Sequence, residues 1–278
     1  MTGTEMLRTM SSHYTLVAAT VLLFVLGLAP HWTAQAAEPA QKKVRTVVGI
    51  IPQIATGGGS FFMDFQFVNN SEKFSSVHIE FFDSSGVQMT VPLTSGGFLY
   101  TNSKYMVDIS PQNTLFVSTQ RDAPEVQIGY AVVTSDPPNA GVVHATFNQV
   151  IPGRPLFQAF IPLDDGSRSL FYLPSVNSNG RTSSMAVMSV TNQGVRYLAL
   201  DQGGNVLCDS LTVFNQGQHE AFIVPERLPC LAGIDGMVLV AGDPESGIFG
   251  VGITAQDGGA LVTQPVIPAA PTPVVSGS

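Results

Sequence analysis

Three of the five histidines lie beyond residue 36: His78, His144 and His219. Imidazole suits proton transfer near neutral pH and metal ligation. The three are far apart in the chain, and no H-x-x-x-H pair is present to seat a metal on one helix face. A Ser–His–Asp site can be assembled from distant residues, because geometry defines it. No G-x-S-x-G elbow occurs, however, and serines are common in any loop-rich chain. His144 falls in an apolar strand-like stretch, which suits a satisfied histidine. The chain therefore reads as a non-enzyme, with no catalytic residue assigned and a secreted hydrolase as the remotest alternative.

Other chemistry is equally sparse. Cys208 and Cys230 are the only cysteines. An even count in an exported chain favours a disulfide, and two separate buried thiols are the alternative. Two Cys without paired His supply too few ligands for a metal site. Asp136, Asp164, Asp165 and Asp243 could gather oxygens for calcium, but no D-x-D-x-D-G loop is present. Asp136 and Asp243 each precede a proline and serve equally as turn formers. Gly57-Gly58-Gly59 lacks the Lys-Ser/Thr and the helix of a phosphate loop. No cofactor and no metal is expected.

Aromatic side chains are the remaining candidates. Phe98, Tyr100 and Tyr105 fall in a Gly-rich stretch, 95–106, that reads as a long loop. Insertions on a rigid scaffold are where binding sites gather, so these three are the candidate binding residues, for a sugar above all. Trp32 is the only Trp, and it lies in the leader.

Composition narrows the classes further. Hydrophobic residues make up 44% of the 278, and charged ones only 12%, so a core can form and disorder is not expected. A net charge of −8 argues against nucleic acid, whose phosphates need clustered Lys and Arg. The run 16–29, LVAATVLLFVLGLA, follows Arg8 and precedes Ala34-Gln35-Ala36, an A-x-A cleavage pattern. This describes a secretory signal peptide over 1–36. The run is too short for a membrane span, which needs about 20 apolar residues. No span is expected after cleavage.

The elements that would position these residues are short strands. In Val77-His78-Ile79-Glu80-Phe81 apolar residues alternate, the period of a half-buried strand. Turn signals recur every 8–12 residues or so, as in a sandwich. No amphipathic helix of any length is evident. The stretch 128–148, IGYAVVTSDPPNAGVVHATFN, reads as a strand–turn–strand hairpin. It is echoed in 234–254, IDGMVLVAGDPESGIFGVGIT. Phe82-Asp83-Ser84-Ser85-Gly86 likewise returns as Leu200-Asp201-Gln202-Gly203-Gly204, and Ile51-Pro52-Gln53-Ile54 as Leu173-Pro174-Ser175-Val176. The first of these turns is expected to lead into 87–93 as the second arm of a hairpin. The second copy is shorter, mostly for want of the stretch after Leu93.

These motifs carry a resemblance. The opening Pro52–Gly59, the Phe82-Asp83-x-x-Gly86 turn, the strand at Gly129 and the closing strand ending at Pro162 resemble a paired β-sandwich unit of secreted and surface proteins of soil bacteria. The resemblance covers the whole chain after the leader. It implies an immunoglobulin-like fold and an extracellular place, and no known activity.

The expected architecture is all-β: two tandem immunoglobulin-like antiparallel β-sandwich domains after an N-terminal signal peptide. The domains span 44–163 and 168–268, joined by the short link 164–167, and a flexible Pro/Ser tail occupies 269–278. The expected role is a non-catalytic secreted or surface-associated structural or adhesion module acting through protein–protein contacts. The alternative is a carbohydrate-binding accessory protein using the 95–106 loop. The expected location is secreted, in the periplasm, at the cell surface or outside the cell, and the expected partner is an unidentified protein or polysaccharide outside the cell.

Overall fold

The computed structural model describes residues 46–137, 141–166, 168–245, 247–257 and 259–269. The expected signal peptide and the tail beyond residue 269 lie outside the described residues. Among the described residues the fold is all-β, with one α-turn at Val224–Arg227 and one 3₁₀ turn at Pro229–Leu231.

The first half contributes β1 (Thr46–Thr56), β2 (Phe61–Asn69), β3 (Ser75–Asp83), β4 (Val91–Ser95) and β5 (Phe98–Asn102). It continues with β6 (Lys104–Ile109), β7 (Asn113–Thr119), β8 (Gln127–Asp136), β9 (Val142–Gln149) and β10 (Phe157–Ile161). They form antiparallel sheet A, in the order β1-β8-β3-β6, and sheet B, β10-β9-β2-β7-β4-β5. Period-two alternation decides which side chains meet. Met63, Phe65 and Phe67 point inward from β2, and Val77, Ile79 and Phe81 from β3. The Phe65 and Phe81 rings lie 5.8 Å apart across the two sheets. Burying each such ring is worth about 2–3 kcal/mol.

The second half contributes β11 (Leu170–Ser175), β12 (Arg181–Ser189), β13 (Gln193–Asp201), β14 (Val206–Phe214) and β15 (His219–Ile223). After the helical turns come β16 (Gly236–Ala241), β17 (Ile248–Gln256), β18 (Ala260–Gln264) and β19 (Ile267–Pro268). Sheet C runs β15-β12-β17-β18, and sheet D β14-β13-β16-β11-β19. The order β1-β8-β3-β6 thus returns as β11-β16-β13-β14, and β10-β9-β2-β7 as β18-β17-β12-β15. The matched turns repeat the same chemistry. Asp83 Oδ1 accepts the amides of Ser85 and Val87, as Asp201 Oδ1 accepts those of Gly203 and Asn205.

Three expectations change. The stretch 128–148 is two strands but not a hairpin: β8 lies in sheet A and β9 in sheet B. Each strand buries alternate side chains, and crossing between sheets lets both inward faces meet in one core. Residues 87–93 do not return along β3. After one bridge, Phe82 to Gln88, the chain crosses to sheet B, and β6 takes the place beside β3. The expected loop at 95–106 is largely strand. Gly96 and Gly97, with φ of 55° and 83°, close a hairpin between β4 and β5. Two successive positive-φ residues are what a two-residue turn with native strand twist requires.

The halves are packed onto each other. Ile50 and Tyr130 from sheet A join Met188 and Phe249 from sheet C in one buried cluster. Ala186 and Val251 of the second half belong to the first half's core. The link is held too: Ile50 exchanges backbone hydrogen bonds with Asp164, and Arg168 with Ile248. Asp164 Oδ1 also accepts the Arg168 guanidinium at 2.6 Å.

Candidate functional site

The histidines are not brought together. His78 is on β3, His144 on β9 and His219 on β15, in three different sheets. His219 is 2% exposed at the junction of the halves, and its Nδ1 lies 3.4 Å from Ser84 Oγ. Its Nε2 has no hydrogen-bond partner. Burial pushes its pKa down to about 4, only partly opposed by the nearby Pro52 carbonyl. A serine–histidine contact without an orienting carboxylate, sealed from substrate, has the geometry of a packed neutral imidazole.

Phe98 and Tyr100 share one face of β5, and both are exposed. Tyr105, on β6, is half-buried and packs on Phe67 at 6.2 Å between ring centroids. Tyr100 meets Tyr105 edge-on at 6.3 Å. Two of the three aromatics therefore touch, edge to face rather than coplanar. Cys208 and Cys230 are joined, with Cα atoms 6.2 Å apart, so the edge strand β14 is tied to the 3₁₀ turn. Among the described residues no three His, Cys, Asp or Glu side chains gather where they could hold a metal ion. Nor is any helix there long and apolar enough to cross a membrane.

A recess that the sequence reading missed lies on the outer face of sheet B. Its volume is about 350 Å³. Registers place its residues in rows across four strands. Phe116 stands opposite Gln66, which stands opposite His144; Ser118, Asp64, Thr146 and Phe160 form the next row. Phe116 is 65% exposed and Phe160 48%. The two phenyls come from strands three spacings apart, about 14 Å, and flank a polar floor. That floor is internally braced. Asp64 accepts Ser118 Oγ at 2.5 Å and Asn148 Nδ2 at 2.9 Å, while Asn148 Oδ1 accepts Gln158 Nε2 at 2.8 Å. The His144 and Phe160 rings lie 5.7 Å apart.

The local sequence explains this face. In β2 the inward Met63, Phe65 and Phe67 are apolar and the alternate positions include Asp64 and Gln66, so a carboxylate and an amide must face out. Phe116 occupies an outward position between Thr114 and Ser118, and Phe160 one beside Gln158. An aromatic at an otherwise polar period-two position was the available signal. The arrangement can take an apolar ring face against a phenyl while donating and accepting hydrogen bonds beneath it.

No protein-family model matches the chain, and neither a curated protein nor a solved structure does.

Proposed function

We propose that the chain is an exported, non-catalytic binding protein of two tandem immunoglobulin-like sandwiches, and that it holds a saccharide on the outer face of sheet B. The observation that carries this is the pair of exposed phenyls, Phe116 and Phe160, flanking the Asp64–Asn148–Gln158 network. A sugar ring offers an apolar C–H face and a rim of hydroxyls, and the recess has a counterpart for each. A braced floor loses little side-chain freedom on binding. The repeated strand order supports the duplication. The disulfide accords with an oxidising compartment outside the cytoplasm.

Affinity electrophoresis through gels containing bacterial or plant polysaccharides tests this. Retardation is expected for the native chain, with Phe116→Ala and Phe160→Ala each weakening binding about tenfold, or roughly 1.4 kcal/mol. Unchanged mobility in every polysaccharide would overturn the reading.

A protein-partner reading has its own observation. Strand β5 is the open edge of sheet B, with all five residues exposed, Phe98, Leu99 and Tyr100 among them. Open edges invite a strand from another chain. Adhesion that survives Phe116→Ala and Phe160→Ala but is lost in Phe98→Lys would place the function there.

A further inference from the structure

A second recess, away from the first, lies between the two halves. Phe61 and Phe147 wall it from the first half, and Phe222, Val251, Ile253 and Leu261 from the second. Its volume is about 310 Å³, within the range of small-molecule pockets. The exposed Ala221 and Ile223 are part of its lining, so it opens to solvent. Its polar lining residues are Gln53, Gln149 and Ser184, and none of the lining side chains is charged.

Gln53 is the unusual member. Strand β1 breaks register with β8 between Ile51 and Ile54, and Gln53 sits in that irregularity. Such irregularities re-aim side chains and recur beside binding sites. Gln53 is 8% exposed. Its Nε2 donates to the Ile54 carbonyl at 3.2 Å, which fixes the orientation of the amide. Its Oε1 is buried with no hydrogen-bond partner. A buried acceptor without a donor is costly, and such a group calls for an explanation.

We infer that this recess binds an uncharged apolar alcohol, its hydroxyl donating to Gln53 Oε1 and its hydrocarbon body lying against the Phe and aliphatic walls. The orphan acceptor selects a donor. The absence of charge in the lining disfavours carboxylates and amines, each of which would be buried without a counter-charge. The walls select hydrocarbon over a polyol, so the ligand differs in kind from the saccharide of sheet B. Both halves contribute wall, so binding also holds them together and raises the melting temperature by mass action.

Calorimetric titration of the full chain with naphthol tests this, with naphthalene and naphthoate as comparators. One-to-one saturable binding of naphthol is expected, at least tenfold tighter than either comparator. Gln53→Met should erase the preference for naphthol over naphthalene while naphthalene still binds. Ala221→Trp, at an exposed lining position, should weaken naphthol and naphthalene tenfold or more and leave polysaccharide binding unchanged. The second variant decides the matter if the first does not fold. No saturable naphthol binding, equal affinity for naphthalene, or indifference to Ala221→Trp would each overturn the inference.

Discussion

Gly86 and Gly217 meet backbone to backbone across the junction of the two halves: a Cβ at Gly86 would lie 2.8 Å from the Gly217 carbonyl oxygen. Beside them the His219 amide donates to the Ser84 carbonyl at 3.0 Å. Gly86 also has φ of 84°, in the left-handed region. One residue thus satisfies a turn and a docking contact, and only glycine does both.

Gly86→Ala is therefore expected to cost more than a turn glycine normally does. The left-handed conformation alone costs about 1–2 kcal/mol for an L side chain, and here the clash is with backbone that has little room to move. Gly96, with φ of 55°, serves as the control, because a methyl group there would meet nothing within 4 Å. Urea unfolding should place Gly86→Ala about 3 kcal/mol below the native chain and Gly96→Ala about 1 kcal/mol below it. Equal losses would mean the close approach carries no energy.

The junction should fail at both ends of the pH scale. His219 has a folded pKa of about 4 against 6.5 ordinarily, because burial penalises its charged form. Its contribution is complete above pH 6.5 and is lost as pH falls toward 4, up to about 3 kcal/mol. Tyr130, whose ring lies 6.3 Å from His219, is pushed up to about 12 by burial and by the Asp83 charge. Its contribution is complete below pH 10 and is lost as pH rises through 12. Melting temperature against pH measures both limbs, and His219→Gln should flatten the acid limb between pH 6.5 and 4. A native-like acid limb in that variant would refute the assignment.

Reduction of Cys208–Cys230 should destabilise without unfolding. Closing a loop of sequence separation 22 is worth about 3 kcal/mol in the chain-entropy model. For a chain of this size that corresponds to a fall of about 10 °C in Tm. Calorimetry with and without reductant checks it, with alkylation and mass measurement confirming the thiol count.

Arg168→Met should strand the Asp164 carboxyl. Burial already raises that pKa, and Arg168 opposes the rise through a hydrogen bond and its charge. Removing the cation should cost about 3 kcal/mol near neutral pH, as breaking buried ion pairs does. The loss should shrink as pH falls and Asp164 protonates. Urea midpoints at pH 7 and pH 5 make the comparison; an equal loss at both would point to packing alone.

The local rules were legible along the chain. Alternation marked β3 as a strand, and Asp-x-x-Gly marked the turns at Asp83 and Asp201, because side-chain period and positive φ are properties of a few consecutive residues. The cysteine pair was legible as an even count. The Gly96-Gly97 turn was legible in principle, since paired glycines between apolar runs signal a tight hairpin.

What tertiary structure alone decided is which strands become neighbours and which faces stay open. Whether β9 pairs with β8 or crosses to β2 depends on long-range burial of both inward faces, and no local pattern encodes it. The same holds for the recess on sheet B. Phe116, Asp64, Thr146 and Phe160 come from four strands up to about a hundred residues apart in the chain, and only inter-strand register puts them in two adjacent rows. Gln53 became informative for the same reason: it lines a recess whose walls come from both halves.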